Sequence, residues 1–264
     1  MNEFFIYYSI IFLYGLVIGS FLNVCIYRIP GELSIVTGRS RCMSCNTPIK
    51  WYDLIPVLSY IFLLGRCRKC KSRISIQYPM IEALNGLLYV LVFYLYGFDS
   101  LKNILISGAY CLVISALIVL SVIDFRTNTI PAGINIFILI MGLLIVLLRY
   151  FWSGRNTDIV VDHVIGMFAV SLFLLLIFCV SHGRGIGGGD IKLMGAAGLV
   201  LGWELILLAF MLGCVLAAII HPIRMRINHL NRVLAFGPYL SAGIAISLFF
   251  GKQMIDWYIQ SFFL

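Results

Sequence analysis

The chain has 264 residues, 62% of them hydrophobic and only 11% charged, with a mean hydropathy of +1.03. A soluble domain carries roughly 25% charged residues and roughly 45–50% apolar ones, so a soluble enzyme or a secreted domain is excluded. The net charge of +8 is concentrated, because residues 28–73 hold nine Lys and Arg against Glu32 and Asp53 and so carry +7 of it.

The first 27 residues read as a transmembrane helix. Glu3 is the first charge in MNEFFIYYSIIFLYGLVIGSFLNVCIYRIP, and the apolar run that follows exceeds the roughly 7–15 residues of a signal-peptide core. Arg28 then opens the basic segment, which orients this helix with its N-terminus outside. Gly15 and Gly19 form a G-x-x-x-G pair, the spacing for close helix packing in lipid.

Residues 28–76 read as a cytoplasmic loop domain, since a basic block beside a membrane stays on that side. Such charge suits anionic lipid headgroups. No nucleic-acid-binding motif accompanies it, so no nucleic-acid partner is expected. The loop contains Cys42-Met-Ser-Cys45 and Cys67-Arg-Lys-Cys70, two C-x-x-C pairs separated by 21 residues. Each pair can turn two thiolates toward one ion, and the two together complete a tetrahedral four-sulfur site. Arg41, Arg66, Arg68 and Lys69 beside them favour deprotonated sulfur. The alternative is a pair of disulfides, which a reducing cytoplasm disfavours. A four-Cys zinc site has no open position, so its role is structural. It would staple a segment too small for a robust core of its own. Cys25, Cys111, Cys179 and Cys214 lie singly in apolar stretches, where a thiol acts as a small hydrophobe.

Residues 77–264 group as a multi-helix membrane core. Apolar blocks lie at about 80–97, 102–122, 131–150, 160–180, 191–220 and 235–251, each near or above span length. Arg224, Arg226 and Arg232 place the segment after residue 220 inside. That requires an even number of crossings between 191 and 220, met by a hairpin near Gly202 with one short or tilted helix. The expected fold is therefore an all-α polytopic membrane protein of about eight transmembrane helices with a small zinc-bound cytoplasmic loop domain. No internal repeat stands out.

This topology puts Asp124, in SVIDFRTNTIP, and Asp190, in HGRGIGGGDIKLMG, at the same cytoplasmic membrane edge. Ionisable groups there are costly and usually functional. Taken singly, Asp124 could be an interfacial cap paired with Arg126, and Asp190 the N-cap of the following helix. Taken together, two carboxylates in one partly dry cavity tend to share a proton. The ionised one can then activate water while the protonated one polarises a peptide carbonyl. Gly185, Gly187, Gly188 and Gly189 would let an extended substrate backbone lie close. Lys192, two residues beyond Asp190, joins Gly187, Gly188 and Gly189 as a candidate substrate-binding residue, although it could also pair with that carboxylate or snorkel. No G-K-[ST] follows the glycines, so they are not a phosphate loop.

At these residues the chain resembles the type IV prepilin leader peptidases, bacterial membrane aspartyl proteases of the GxGD class. The resemblance covers nearly the whole chain: GSFLNVCIYRIP at 19–30, the cysteine quartet around WYDLIPVLSY, RISIQYPMIEALNG at 73–86, IDFRTNTIP at 123–131, GIGGGDIKLMGAAGLVLG at 185–202 and FGP at 236–238. It implies a bacterial cytoplasmic-membrane location and makes Asp124 and Asp190 the catalytic pair. The implied substrates are prepilins or pseudopilins, whose basic leader is cut after a Gly on the cytoplasmic side. It further implies methylation of the new N-terminus with S-adenosylmethionine, a step associated with the Glu82-Ala-Leu-Asn-Gly86 stretch. One departure is Ala132, where many relatives carry Asp. The competing reading is a polytopic transporter that uses its intramembrane acids for ion or proton coupling. Against it stand the missing inverted repeat and the placing of both acids at one face.

Overall fold

The structure is a computed structural model and describes residues 2–228 and 234–262; Arg232 lies outside the described residues. The chain divides by packing into two compact units, residues 1–98 and residues 99–264. Loop composition alone suggests boundaries at 27/28 and 76/77, whereas packing groups residues 77–98 with the first helix.

The first unit contains α1 (Asn2–Arg28), a 3-10 turn at Trp51–Leu54, α2 (Leu58–Phe62) and α3 (Gln77–Tyr96). Lipid tails give two apolar helices no hydrophobic reason to associate, so contact depends on close approach and buried polar bonds. The glycine pair supplies the approach. A Cβ on Gly15 would stand 2.6 Å from the Cα of Gly86, and one on Gly19 would stand 2.7 Å from the Cα of Glu82. The polar bonds run beside it: Asn85 Nδ2 donates to the Gly15 carbonyl at 2.7 Å, and Asn23 Nδ2 to the Tyr78 carbonyl at 3.2 Å. Where α1 ends and α3 begins, Tyr27 and Tyr78 stack with ring centroids 5.7 Å apart.

Between these helices the chain is held by short polar devices because it has little core. The Arg28 guanidinium donates to the carbonyls of Ser34, Thr37 and Gly38 at 2.8–3.0 Å and winds residues 29–38 about itself. Two knuckles follow, RCMSCNTPI at 41–49 and RCRKCKSRI at 66–74, and they fold alike. Arg41 bridges Pro48 and Arg66 bridges Arg73. Cys42 N–H donates to the Thr47 carbonyl and Cys67 N–H to that of Ser72. Asn46 and Lys71, each just past its second cysteine, both take positive φ. The structure thus contains a short repeat that its sparse identities conceal in sequence. Val57, at φ 59°, is a strained position for a β-branched residue. Its N–H donates to Glu82 Oε2 at 2.8 Å, which fixes the 51–64 segment to α3.

The second unit contains α4 (Leu101–Thr127), α5 (Ala132–Trp152), α6 (Thr157–Ala169), α7 (Ser171–Val180), α8 (Gly188–Leu201), α9 (Trp203–Asn228) and α10 (Gly237–Phe262). α8 is its centre and touches α5, α6, α7, α9 and α10. Ten of its 14 residues are buried, and the Met194-Gly195-Ala196-Ala197-Gly198 run is small enough to let neighbours close in on every side. The chain reverses at Gly202, whose φ of 86° is costly for any side-chain-bearing residue, and this produces the expected 191–220 hairpin. In the core, Arg149 donates to Tyr110 Oη at 2.6 Å and lies 3.5 Å from His163 Nε2. His163 Nδ1 lies 2.9 Å from the Leu199 carbonyl and must donate to it. One buried network therefore ties α4, α5, α6 and α8.

The protein is a multi-pass membrane protein. Six helical stretches are long and apolar enough to cross a bilayer: α1, α3, α4, α5, α6 with α7, and α9. The expected eight is not reached by this measure among the described residues. At 14 residues, α8 is about 21 Å long against roughly 30 Å of hydrocarbon. It is surrounded by protein and need not match the lipid. α10 is long enough, at 26 residues, but carries Lys252, Gln253 and Asp256.

Candidate functional site

Asp124 lies in the last turn of α4, which ends at Thr127 and is capped by the left-handed Asn128. Asp190 is the third residue of α8, and Gly187, not Asp190, is the N-cap. Both are nearly inaccessible, at 4% and 8% exposure, which is rare for carboxyl groups without a specific role. Asp190 stands within Coulombic range of Asp124. The separation in sequence is closed by two contacts. Ile130, just past α4, fills the space a Gly189 side chain would need, with its Cβ 2.8 Å from where that atom would be. Asn135, in the first turn of α5, donates to the Gly189 carbonyl at 3.3 Å.

The carboxylates are held differently. Gly237 N–H, at the start of α10, donates to Asp124 Oδ2 at 2.9 Å. Asp124 is thus oriented by a distant backbone donor and does not serve as a local cap. Asp190 Oδ1 is buried without a hydrogen-bond partner, as is Asn135 Oδ1. Buried polar atoms are normally satisfied, and orphans of this kind mark a place where water or a substrate peptide group would bind. Arg224 of α9 packs over the Phe125 ring at 4.0 Å and donates to Tyr239 Oη at 3.3 Å, so it clamps α4 to α10 beside the Asp124–Gly237 bond.

The four glycine-loop candidates separate. A side chain on Gly188 would meet open space, whereas one on Gly189 would strike Ile130. Gly187 is exposed and lies against Asp190, whose Oδ2 would be 3.1 Å from a Cβ there. Lys192 is exposed on α8. Gly187 and Gly188 are thus open to an approaching chain, while Gly189 serves the close approach of α8 to the 128–131 turn.

Asn135, Gly237 and Arg224 are absent from the site as read from sequence. The signals were a lone Asn within AGINIFILIMGLL one turn after an Ile-Pro, the FGP tripeptide ahead of α10, and an arginine read only as a topological charge.

In the first unit, the sulfurs of Cys42, Cys45, Cys67 and Cys70 all lie within 4.8 Å of one another, and no cysteine is in a disulfide. Thiolates bound tetrahedrally at about 2.3 Å from zinc would sit about 3.8 Å apart, and Cys42 and Cys70 are 3.8 Å apart. The donor set and spacing fit a four-sulfur metal site. The N–H groups of Cys45 and Ser44 push the Cys42 thiol down to about 6, and the Ser72 hydroxyl and N–H lower Cys70. At Cys42 and Cys70 the thiolate form is therefore favoured by the knuckle backbone and the Ser72 hydroxyl, where sequence suggested the flanking arginines. Cys67 is raised instead: the N–H groups of Cys70 and Lys69 lower it, but burial and the sulfurs of Cys42 and Cys70 outweigh them.

Glu82 and Gly86, the residues the resemblance associates with methyl transfer, are closely packed. A Cβ on Gly86 would stand 2.8 Å from the Phe12 ring, and the Glu82 carboxylate is closed over by Val57 N–H. Both residues serve the packing of α1, α3 and the loop.

Residues 13–96 match the bacterial peptidase A24 N-terminal domain, and residues 111–221 match the type IV leader peptidase family. A prepilin leader peptidase/N-methyltransferase of Aeromonas hydrophila is 32% identical over 289 residues, covering 97% of this chain and 95% of the relative. One from Bacillus subtilis is 33% identical over 257 residues, covering 96% and 98%. One from Burkholderia pseudomallei is 35% identical over 271 residues, covering 90% and 83%. No solved structure matches the chain. Likeness of this extent, over nearly the full length of both chains, decides the lineage: the chain belongs to the type IV leader peptidase family.

Proposed function

We propose that the chain is a membrane aspartyl endopeptidase that removes the basic leader of prepilins or pseudopilins, with Asp124 and Asp190 as its catalytic pair. The observation that carries this reading is that two buried carboxyl groups, one on α4 and one on α8, lie within electrostatic reach of each other. The relatives' shared name supplies the substrate class. The transporter alternative has no support among the relatives.

Two such carboxyl groups share one proton. The ionised partner takes a proton from a water molecule, and the resulting hydroxide adds to the scissile carbonyl while the protonated partner donates a hydrogen bond to its oxygen. Collapse of the tetrahedral species breaks the C–N bond, and the leaving amine takes a proton from the pair. Gly187 and Gly188 leave room for an extended peptide at the start of α8. A prepilin presents its cleavage site where a basic leader meets an apolar helix, so an active site at the cytoplasmic membrane edge reaches that bond without extracting the helix.

The relatives' name also carries N-methyltransferase activity, which we assign to this chain as a second step on the new N-terminus, with S-adenosylmethionine as donor. Zinc would be held by Cys42, Cys45, Cys67 and Cys70 in a closed structural site.

The test is leader removal from a prepilin in membranes carrying Asp124→Asn or Asp190→Asn. Each variant accumulates normally and cleaves nothing. Retained cleavage by both variants refutes the assignment.

A further inference from the structure

Between its two cysteine knuckles the loop domain carries a segment that does not behave as soluble chain. Residues 51–64 read WYDLIPVLSYIFLL and bury almost nothing: Trp51 is 78% exposed, Phe62 81% and Leu64 84%, with Leu54, Ile55, Leu58 and Ile61 also exposed. A run of neighbouring apolar side chains facing outward from so small a domain marks an interaction surface. Its position says which kind. Val57 N–H is bonded to Glu82 Oε2, and Glu82 is the sixth residue of the membrane-spanning helix α3. The segment therefore lies alongside the first turns of α3 rather than beyond its end. The Tyr60 hydroxyl reaches the Ile74 carbonyl at 3.5 Å, which ties the segment back to the approach to that helix. On either side of it Lys50, Arg66, Lys69, Lys71 and Arg73 are exposed. Asp53, the one acid inside it, is taken up by Arg68 at 2.6 Å.

An apolar face with an aromatic anchor and a basic rim, held at the end of a transmembrane helix, has the composition of an interfacial element. We propose that residues 51–64 lie in the lipid of the cytoplasmic leaflet beside α3, with the basic rim on acidic headgroups, so that the 28–76 domain is seated on the membrane and does not stand free of it. Phe62, Leu58 and Ile61 enter the acyl boundary, Trp51 sits at headgroup level, and the lysines and arginines reach phosphates. Seating also removes an electrostatic conflict, because a loop of net charge +7 neutralised by anionic lipid no longer repels a basic substrate segment arriving at the same membrane face.

The test uses the full chain in bilayers of mixed phosphatidylcholine and phosphatidylglycerol. A photoreactive residue is placed by Phe62→p-benzoylphenylalanine and, as a control, by Met43→p-benzoylphenylalanine on the first knuckle, where the side chain is 76% exposed. After irradiation, mass spectrometry reads the adducts. Seating predicts lipid adducts at Phe62 several-fold above those at Met43. It also predicts a share of phosphatidylglycerol among them that exceeds its share of the bilayer and returns to that share in Lys50→Gln/Lys69→Gln/Lys71→Gln. Adducts at Phe62 to protein, or equal lipid labelling at both positions, overturn the proposal. Lipid adducts that mirror bilayer composition in the parent chain overturn the role of the basic rim. Metal content measured on each variant shows that the knuckles are intact.

Discussion

The backbone N–H of Gly237 donates to Oδ2 of Asp124 at 2.9 Å, across 113 positions of sequence. The bond fixes the carboxylate by a group that cannot rotate away, and the contact is so close that a Cβ on Gly237 would stand 2.7 Å from the same oxygen and 3.1 Å from Leu120 Cδ2. Gly237→Ala must displace either α10 or the carboxylate. A hydrogen bond to a charged group is worth about 1.5–3 kcal/mol, which corresponds to roughly a 10- to 100-fold loss of leader-cleavage rate. Single-turnover cleavage of a saturating prepilin peptide measures it, and an unchanged rate would remove Gly237 from the machinery.

Asn135 acts on the other carboxylate through the backbone. It donates to the Gly189 carbonyl immediately before Asp190, and its own Oδ1 is a buried orphan. Asn135→Leu keeps the volume and removes the donor. A neutral hydrogen bond is worth about 0.5–1.5 kcal/mol, so cleavage should slow by roughly threefold to tenfold. The loss should appear in kcat with KM little changed, since the residue positions the acid and does not bind the peptide. A rise in KM alone would make Asn135 a substrate contact instead.

What could be read beforehand follows from how each feature is encoded. Membrane spans declare themselves because hydrocarbon tolerates few charges over about 20 residues. The expectation that Asp124 and Asp190 share one membrane face came from counting those spans, and the cysteine quartet was legible from its spacing. Gly202 marked the reversal between α8 and α9. FGP at 236–238 marked Gly237 only as a motif, and its part as a donor to Asp124 was not legible, because a backbone N–H has no residue signature. Asn135 looked like one polar residue in an apolar helix, which is as consistent with helix packing as with a site. The paired knuckles share only Arg, two Cys, a Thr or Ser, and Ile in nine positions, too few letters to announce a repeat. Glu82 and Gly86 entered as methyl-transfer candidates by resemblance alone, and their part in holding α1, α3 and the loop together had no signal of its own in the sequence.

Removal of metal should act on the loop as a unit. The two knuckles bury little and bring their sulfurs within 4.8 Å of one another, so a bound ion would supply the cross-link that a core would otherwise give. About one zinc per chain is expected. Chelation, or Cys42→Ser, should speed amide exchange across both 41–49 and 66–74. Faster exchange confined to the mutated knuckle would show that the two fold independently and share no ion.

The Asp53–Arg68 pair gives the loop a dependence on acid. The Arg68 guanidinium donates to both carboxylate oxygens and holds Asp53 below the usual carboxylate range. A lowered folded-state value means that the pair's stabilisation is complete above the unfolded value of about 3.9. It is lost as pH falls through the depressed one. Arg68 is half exposed, so salt screens the pair. The protection factor at 51–54, that is, exchange relative to the intrinsic rate at the same pH, should fall on acidification in the parent chain, while in Asp53→Asn it should already be low at neutral pH and change little.

Gly86 offers the sharpest separation of packing from chemistry. Its missing side chain admits the Phe12 ring and the backbone of Gly15, so Gly86→Ala overpacks the α1–α3 contact at a cost of about 1–3 kcal/mol. Gly15→Ala strikes the same contact from the opposite helix and should be destabilising to a similar degree. If Gly86 serves packing, both variants lower the thermal midpoint together, and any loss of methyl transfer follows that midpoint in both. If Gly86 touches the methyl donor, Gly86→Ala alone abolishes methylation at an unshifted midpoint while Gly15→Ala retains it. Methyl incorporation into a pre-cleaved pilin, measured beside thermal unfolding of each variant, distinguishes the two. The structure predicts the first outcome, because the space beside Gly86 is already filled by another helix.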